Sequence, residues 1–489
     1  MFAFARAPVS SLAFAPADFA RRRNLWFWIT LAAFLAHSFW VYMVLAGTLV
    51  FFAVKKEHNK LALYFLLLFA VPPYRSEIWG MGVMNFLFAI DHPRLLALMV
   101  LLPVYLYLRM QKGIERFGTN WPDKLLAGYL ILQFSLILPA STLTNVARVG
   151  VFYPFIDIFL PYYVASRSLR DLRDFREALM AFAIAALLLS TVGVFEFARH
   201  WLIYSPLKDA LDVRSKLVSY LGRGDDLRAV GTPGDAIVLG YVIAVGMAFF
   251  LYLKKSVPDP RVWMLGMGLL IAGLVSPLSR GPWLGAAVIV LVFVLTGPHR
   301  VRGLTRLSLF GVLALPLAMA TPVGDKILDY LPWVGTAETK TVDYRADLLE
   351  RAVSVIMVNP YFGSFDFMGA SEFQDLATGS GFIDIVNTYV GVALARGLVG
   401  LFLFVGVFAV TIYRIIKAMR RVTNKEDERY LLGQALFSAL VGILVIIGTV
   451  SSVSVVPVVY WSVAGLGVGY ARMLENETAT TMHPAAETT

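Results

Sequence analysis

The sequence predicts an all-α fold, a polytopic membrane helix bundle of about twelve transmembrane helices. Three observations carry that prediction. Hydrophobic residues make up 58% of the 489-residue chain and charged residues only 16%. Apolar runs recur from Leu25 to Tyr470, each near the length that crosses a bilayer. Basic residues gather in every second connector between those runs. A soluble chain of this size could not bury so much apolar surface, and the mean hydropathy of +0.70 agrees.

Residues 1–20 lack the charged start and apolar core of a cleavable signal, and Arg21–Arg23 stand just before the first long apolar run, so residues 1–24 are treated together. They are read as a cytoplasmic N-terminal segment. Residues 25–54 lie between Arg21–Arg23 and Lys55–Lys56, so an even number of crossings fits best. A tight hairpin, a single crossing and an interfacial helix all stay open there. The spans then run 61–73, 94–109, 125–143, 146–165, 175–198, 234–253, 262–279, 283–297 and 304–321. The last three are 385–413, 430–448 and 454–472. Residues 25–472 thus form one polytopic domain, followed by a polar tail, 473–489, expected to be disordered and cytoplasmic.

The basic connectors set the orientation. Lys55, Lys56 and Lys60 precede the first of these spans, and Arg109, Lys112 and Arg116 follow the second. Arg167, Arg170, Arg173 and Arg176 follow the fourth, and Lys254, Lys255 and Arg261 the sixth. Arg300, Arg302 and Arg306 follow the eighth, and Arg414, Lys417, Arg420, Arg421 and Lys425 the tenth. The alternation is unbroken and places these connectors in the cytoplasm. Three long loops face the other side: 74–93, 199–233 and 322–384. The longest contains a helical stripe of Leu348, Leu349, Ala352, Val353 and Ile356, with Asp343 to cap it and Asn359-Pro360 to end it. It is read as an amphipathic helix lying on the membrane surface.

Composition also excludes. With no cysteine there are no disulfides, thiolate catalysts or cysteine metal sites. None of the six histidines pairs with another at ligand spacing, which argues against zinc or di-iron. The net charge of +10 sits in short connectors, so it describes membrane topology rather than nucleic-acid binding.

Arginines on the outer side run against the orientation rule. Arg280 stands in the minimal turn Ser279-Arg280-Gly281-Pro282. Arg214, Arg223 and Arg228 lie in the 199–233 loop, Arg345 and Arg351 on the amphipathic helix, and Arg148 at the start of the fourth span. A guanidinium grips phosphate through two parallel hydrogen bonds, so the set suits a pyrophosphate carried in the outer leaflet. Headgroup contacts or loop acids would serve each arginine singly, but the turn at Arg280 is too short for snorkelling to be its only explanation. Asp157, Glu196 and Arg396 fall inside spans, where charges normally face the bundle interior and pair. Arg396 is read either as a structural partner of Asp157 or as a substrate contact.

Three segments resemble the bacterial O-antigen ligase and Wzy-type polysaccharide polymerase superfamily. Ser279-Arg280-Gly281-Pro282-Trp283-Leu284-Gly285 is similar to its Ser-Arg-Gly-x-Trp turn. Tyr344-Arg345, closed by Asn359-Pro360-Tyr361-Phe362-Gly363, is similar to its Arg-led helix ending in Pro-x-x-Gly. Asn387-Thr388-Tyr389 with Gly397-Leu398-Val399-Gly400 is similar to its His-Asn-x-Tyr and Gly-Leu-x-Gly pair, and Arg228 with Gly231 resembles a further segment.

The resemblance implies a metal-independent glycosyltransferase of the bacterial inner membrane with its site facing the periplasm. Its donor would be an undecaprenyl-pyrophosphate-linked oligosaccharide, its acceptor a glycan or a lipid, and no cofactor is implied. Arg280 and Arg345 would neutralise the pyrophosphate. Asn387 joins them in the reacting centre, with Arg148, Arg214, Arg228, Tyr389 and Arg396 as substrate contacts. Two departures stand out: the family histidine before Asn-x-Tyr is Val386, and Arg396 stands where glutamate is common. Asp384, one turn before Asn387, is the candidate replacement base, with helix capping as its other reading. The departures favour a polymerase over a ligase. A transporter or flippase of lipid-linked sugars is the alternative function, but no internal repeat accompanies it. A catalytically dead accessory protein is a third.

Overall fold

The computed structural model describes residues 16–80, 86–223, 226–319, 339–376 and 385–482. The chain is a helical membrane protein, and every expected span holds a helix. Two helices, α1 (Pro16–Leu35) and α2 (Phe39–Lys55), pack on one another across the link 36–38, where His37 takes φ 51. They resolve residues 25–54 as a helical hairpin. Next come α3 (Lys60–Leu67), α4 (His92–Met110), α5 (Trp121–Ala140), α6 (Leu143–Arg167) and α7 (Leu172–Arg199). They are followed by α8 (Ala236–Tyr252), α9 (Pro260–Val275), α10 (Arg280–Thr296) and α11 (Arg300–Met319). The last four are α12 (Thr339–Val358), α13 (Thr388–Met419), α14 (Glu428–Ile447) and α15 (Val456–Met482). Among the described residues seven helices are long and apolar enough to cross a membrane, while α2, α9 and α10 are apolar but shorter.

The elements differ from the sequence expectation at four places. Helix α3 stops at Leu67, short of the expected 73, because Pro72-Pro73 cannot continue it. The unwound stretch stays buried, and side chains satisfy its carbonyls: Thr232 Oγ1 donates to Phe69 at 2.6 Å and Thr30 Oγ1 to Ala70 at 3.2 Å. Helices α4 and α6 contain wide π-turns, Ala97–Leu101 in the first, Val146–Phe152 and Phe155–Phe159 in the second. Such turns cluster at functional positions. Two short antiparallel hairpins occur in the loops: β1 (Ser76–Trp79) with β2 (Phe86–Ile90), and β3 (Gly222–Arg223) with β4 (Asp226–Leu227). Finally, α15 runs to Met482, so the expected tail begins later than residue 473; Met473 and Leu474 pack into the core.

The basic connectors meet at one end of the bundle. Arg22 bonds Glu57 at 2.5 Å and Glu177 at 2.7 Å, joining the starts of α1 and α7 to the end of α2. Arg167 pairs with buried Asp123, Arg176 with Glu428 at 2.5 Å, and Arg414 with Glu475 at 2.9 Å. The alternation of charge is thus an alternation in space. At the centre stands α8, almost wholly buried between α7, α10 and α14. Gly285 and Gly442 let α10 and α14 approach closely, each facing an isoleucine of the other helix.

Candidate functional site

The opposite end of the bundle carries the expected site residues. Between α9 and α10 the chain turns through Ser276-Pro277-Leu278-Ser279, with Leu278 at φ 48. Two arginines of the 199–233 loop hold this turn. Arg228 donates to the Pro277 carbonyl at 3.0 Å and to Ser279 Oγ at 2.8 Å, and Arg223 donates to the Leu278 carbonyl at 2.5 Å. The backbone of Ala229 donates to Ser276 at 3.1 Å. Arg280 then opens α10, half-buried, at the helix end where backbone N–H groups and the helix dipole favour an anion. Ser279 makes no side-chain cap there.

Glu196 explains how the arginine loop is anchored. Fully buried in α7, its carboxylate accepts the backbone N–H groups of Val230 at 3.0 Å, Gly231 at 2.9 Å and Ile203 at 3.2 Å. This in-span charge is therefore balanced by amides rather than by a cation. Glu196→Ala strands those buried donors at about 1–3 kcal/mol each. We expect a markedly lower unfolding midpoint for the purified variant, with Glu196→Gln intermediate; an unchanged midpoint would contradict the anchoring role.

At the start of α13, Asn387 Oδ1 accepts the backbone N–H groups of Tyr389 at 2.9 Å and Val390 at 3.2 Å. Asn387 is thus the helix cap, the role considered above for Asp384. Asp384 itself lies outside the described residues. Thr388 Oγ1 donates to the Val450 carbonyl at 2.7 Å, while Gly281 lies against Thr449 and Val450. The segment after α14 therefore joins the Arg280 turn to the Asn387 cap.

Helix α13 breaks at Gly397, whose φ 64 and ψ −171 are essentially open to glycine alone. The Asn359–Gly363 turn fills the break. Leu398 N donates to Pro360 at 2.8 Å and Val399 N to Tyr361 at 3.2 Å, while Ser364 N donates back to Leu394 at 2.8 Å. A Cβ on Gly397 would meet the Tyr361 carbonyl, and one on Gly363 would meet the backbone at Leu394 and Gly397. Two motifs far apart in sequence are one interlocked backbone structure. Gly400 leaves room for the Arg396 side chain beside it.

Helix α12 ends in this interlock. Leu348 and Ala352 pack with Phe373, Ile385 and Leu394 in a small separate core. The apolar stripe is therefore divided: protein covers Leu348 and Ala352, while Leu349 and Val353 are exposed. The backbone of Arg345 lies on this helix, one turn ahead of Leu348. Arg351 donates to the Glu372 carbonyl at 2.8 Å.

A chamber of about 370 Å³ opens between α5, α6, α13 and the 451–460 segment. Asn387 and Arg396 line it, together with Gln133, Asp157, Tyr153 and Tyr460. The expected pairing of Arg396 with Asp157 is not formed. The wide turn Phe155–Phe159 carries Asp157, which Arg94 binds at 2.8 Å. The Arg396 guanidinium instead lies 5.0 Å from the centre of the Tyr129 ring. Gln133 escaped the sequence reading; its only signal was an amide inside an apolar span.

The remaining expected contacts are not part of the chamber's lining. Tyr389 donates its hydroxyl to the Leu444 carbonyl at 2.7 Å. Arg148 stacks over Phe86 at 3.7 Å and bonds Asn145 at 3.0 Å. Arg214 is exposed and makes no ion pair among the described residues. Residues 265–405 match the family model described as O-Antigen ligase. No curated protein matches the chain. The matched stretch spans the Arg280 turn, α12, the Pro360 interlock and the start of α13. The chain is thus a multi-pass helical membrane protein that is similar, over residues 265–405, to the O-antigen ligase family.

Proposed function

We propose that the protein is a metal-independent glycosyltransferase at the periplasmic face of a bacterial inner membrane. Its donor is an oligosaccharide linked to undecaprenyl pyrophosphate, and its acceptor a further glycan or a lipid. The observation that carries this reading is the juxtaposition of two built features. A half-buried arginine on a turn fixed by Arg223 and Arg228 is linked, through residues 449–452, to a chamber lined by Asn387 and Arg396.

The division of labour follows from charge. As the bond between the sugar and the pyrophosphate breaks, negative charge grows on the departing phosphate. Arg280 and Arg345, with the start of α10, oppose that charge without reorganising. An acceptor hydroxyl forms the new bond to the sugar carbon, and its proton passes to a base. Asp384 is our candidate for that base, because Val386 cannot take a proton. Polymerisation fits better than ligation, since Val386 and Arg396 both depart from the pattern to which a ligase would conform.

The experiment is turnover of a lipid-linked oligosaccharide by purified protein. Arg280→Ala and Arg345→Ala should each abolish transfer while inserting normally; full activity in both refutes the mechanism. Asp384→Asn should lower turnover by about 100-fold with little change in donor affinity. An unchanged rate removes Asp384 as the base.

A further inference from the structure

Among the described residues, no carboxylate pairs with Arg396. Asp157, the acid of the chamber wall, is held by Arg94 through both carboxylate oxygens, at 2.8 to 3.2 Å. Among the described residues lining the chamber, Arg396 alone is a cation without an acid partner. Its Nε is buried without a hydrogen-bond partner, and so is Oε1 of Gln133, which also lines the chamber. Burying polar groups in this condition is unfavourable, so their retention needs a reason.

The rest of the wall suggests a ligand. The half-buried Tyr153 and the edges of the buried Tyr129 and Tyr460 give the wall an aromatic character, and Asn387, Ser452 and Gln133 add hydrogen-bonding groups. An aromatic wall beside a few fixed polar groups suits a sugar ring, with its apolar face and its hydroxyl edge. A planar guanidinium adds a preference for a carboxylate, which it can bind by two parallel hydrogen bonds. We propose that this chamber seats an acidic sugar of the glycan, with the sugar carboxylate on Arg396. The proposal rests on the transferase reading and narrows its substrate to glycans that carry a uronic-acid-like residue.

A carrier phosphate offers the same anionic chemistry, and the test must separate the two. The probes are glucuronate, glucose and inorganic pyrophosphate, added to the purified full chain and followed by saturation-transfer NMR. Glucuronate should bind about tenfold more tightly than glucose. Arg396→Gln should remove that preference, and Arg396→Lys should retain part of it. Equal binding of the two sugars, or an unchanged preference in a folded Arg396→Gln, overturns the proposal. So does displacement of glucuronate by pyrophosphate in Arg280→Ala, which would make the chamber a phosphate seat. The two readings fail separately. If Arg280→Ala transfers glycan normally, the transferase mechanism falls; if that variant is inactive but glucuronate shows no preference, only the acidic-sugar assignment falls.

Discussion

Replacing Arg280 with alanine is expected to reduce glycan transfer by about 100-fold or more, the usual consequence of removing one preorganised group that stabilises developing negative charge. The fold should tolerate the change. Arg223, Arg228 and Ala229 hold the turn through the carbonyls of Ser276, Pro277 and Leu278. The variant should therefore insert and unfold like the parent protein while losing turnover. Arg280→Lys separates charge from shape. A lysine keeps the charge but lacks the planar fork, so an intermediate rate points to bidentate phosphate binding. Parental activity in the alanine variant would mean that the turn has another purpose.

Gly397→Ala should have the second large effect, and by a different route. The backbone there is in a region that costs a residue with a side chain about 1–3 kcal/mol. The added methyl would also collide with the Tyr361 carbonyl, so the Pro360 turn has to withdraw. Two hydrogen bonds, from Leu398 and Val399, then lose their acceptors, at about 1 kcal/mol each. Because that turn ends the helix bearing Arg345, we expect a loss of about 100-fold in transfer, the scale typical of small misplacements in an active site. Hydrogen exchange reads the undocking directly. The amides of Ser364, Leu398 and Val399 should exchange faster in the variant, whereas unchanged exchange together with full activity would dismiss the interlock.

The sequence made the order of helices readable because a membrane span declares itself by length and apolarity, and charge marks the connectors that share one end of the bundle. The arginine-rich connectors indeed meet at one end, where Arg22, Arg167, Arg176 and Arg414 find their acids. Less legible was anything that depends on which distant segments touch. Hydropathy does not show that α3 unwinds after Leu67, since the unwound residues remain apolar and buried. Spacing does not show that Arg94, and not Arg396, takes Asp157, because a π-turn shifts the face on which Asp157 stands.

The same limit applies at the site. Arg280 and Asn387 could be found by motif, and Gly397 was recognisable as part of one. The reason for that glycine is visible only when the Pro360 turn is seated in the helix break. Glu196 read as an isolated charge in a span, yet it organises the loop that supports Arg280. Arg223 and Arg228, read from the sequence as ligand-binding groups, also bind the turn that carries Arg280.

Reconstitution decides whether Arg280 drives transfer from a lipid-linked donor. Purified protein in liposomes is given undecaprenyl-pyrophosphate-linked oligosaccharide in the presence of a metal chelator. Our account predicts lengthened or transferred glycan together with released undecaprenyl pyrophosphate in the parent protein, and neither product in Arg280→Ala. Donor that crosses the bilayer unchanged, or equal product from both proteins, would contradict it.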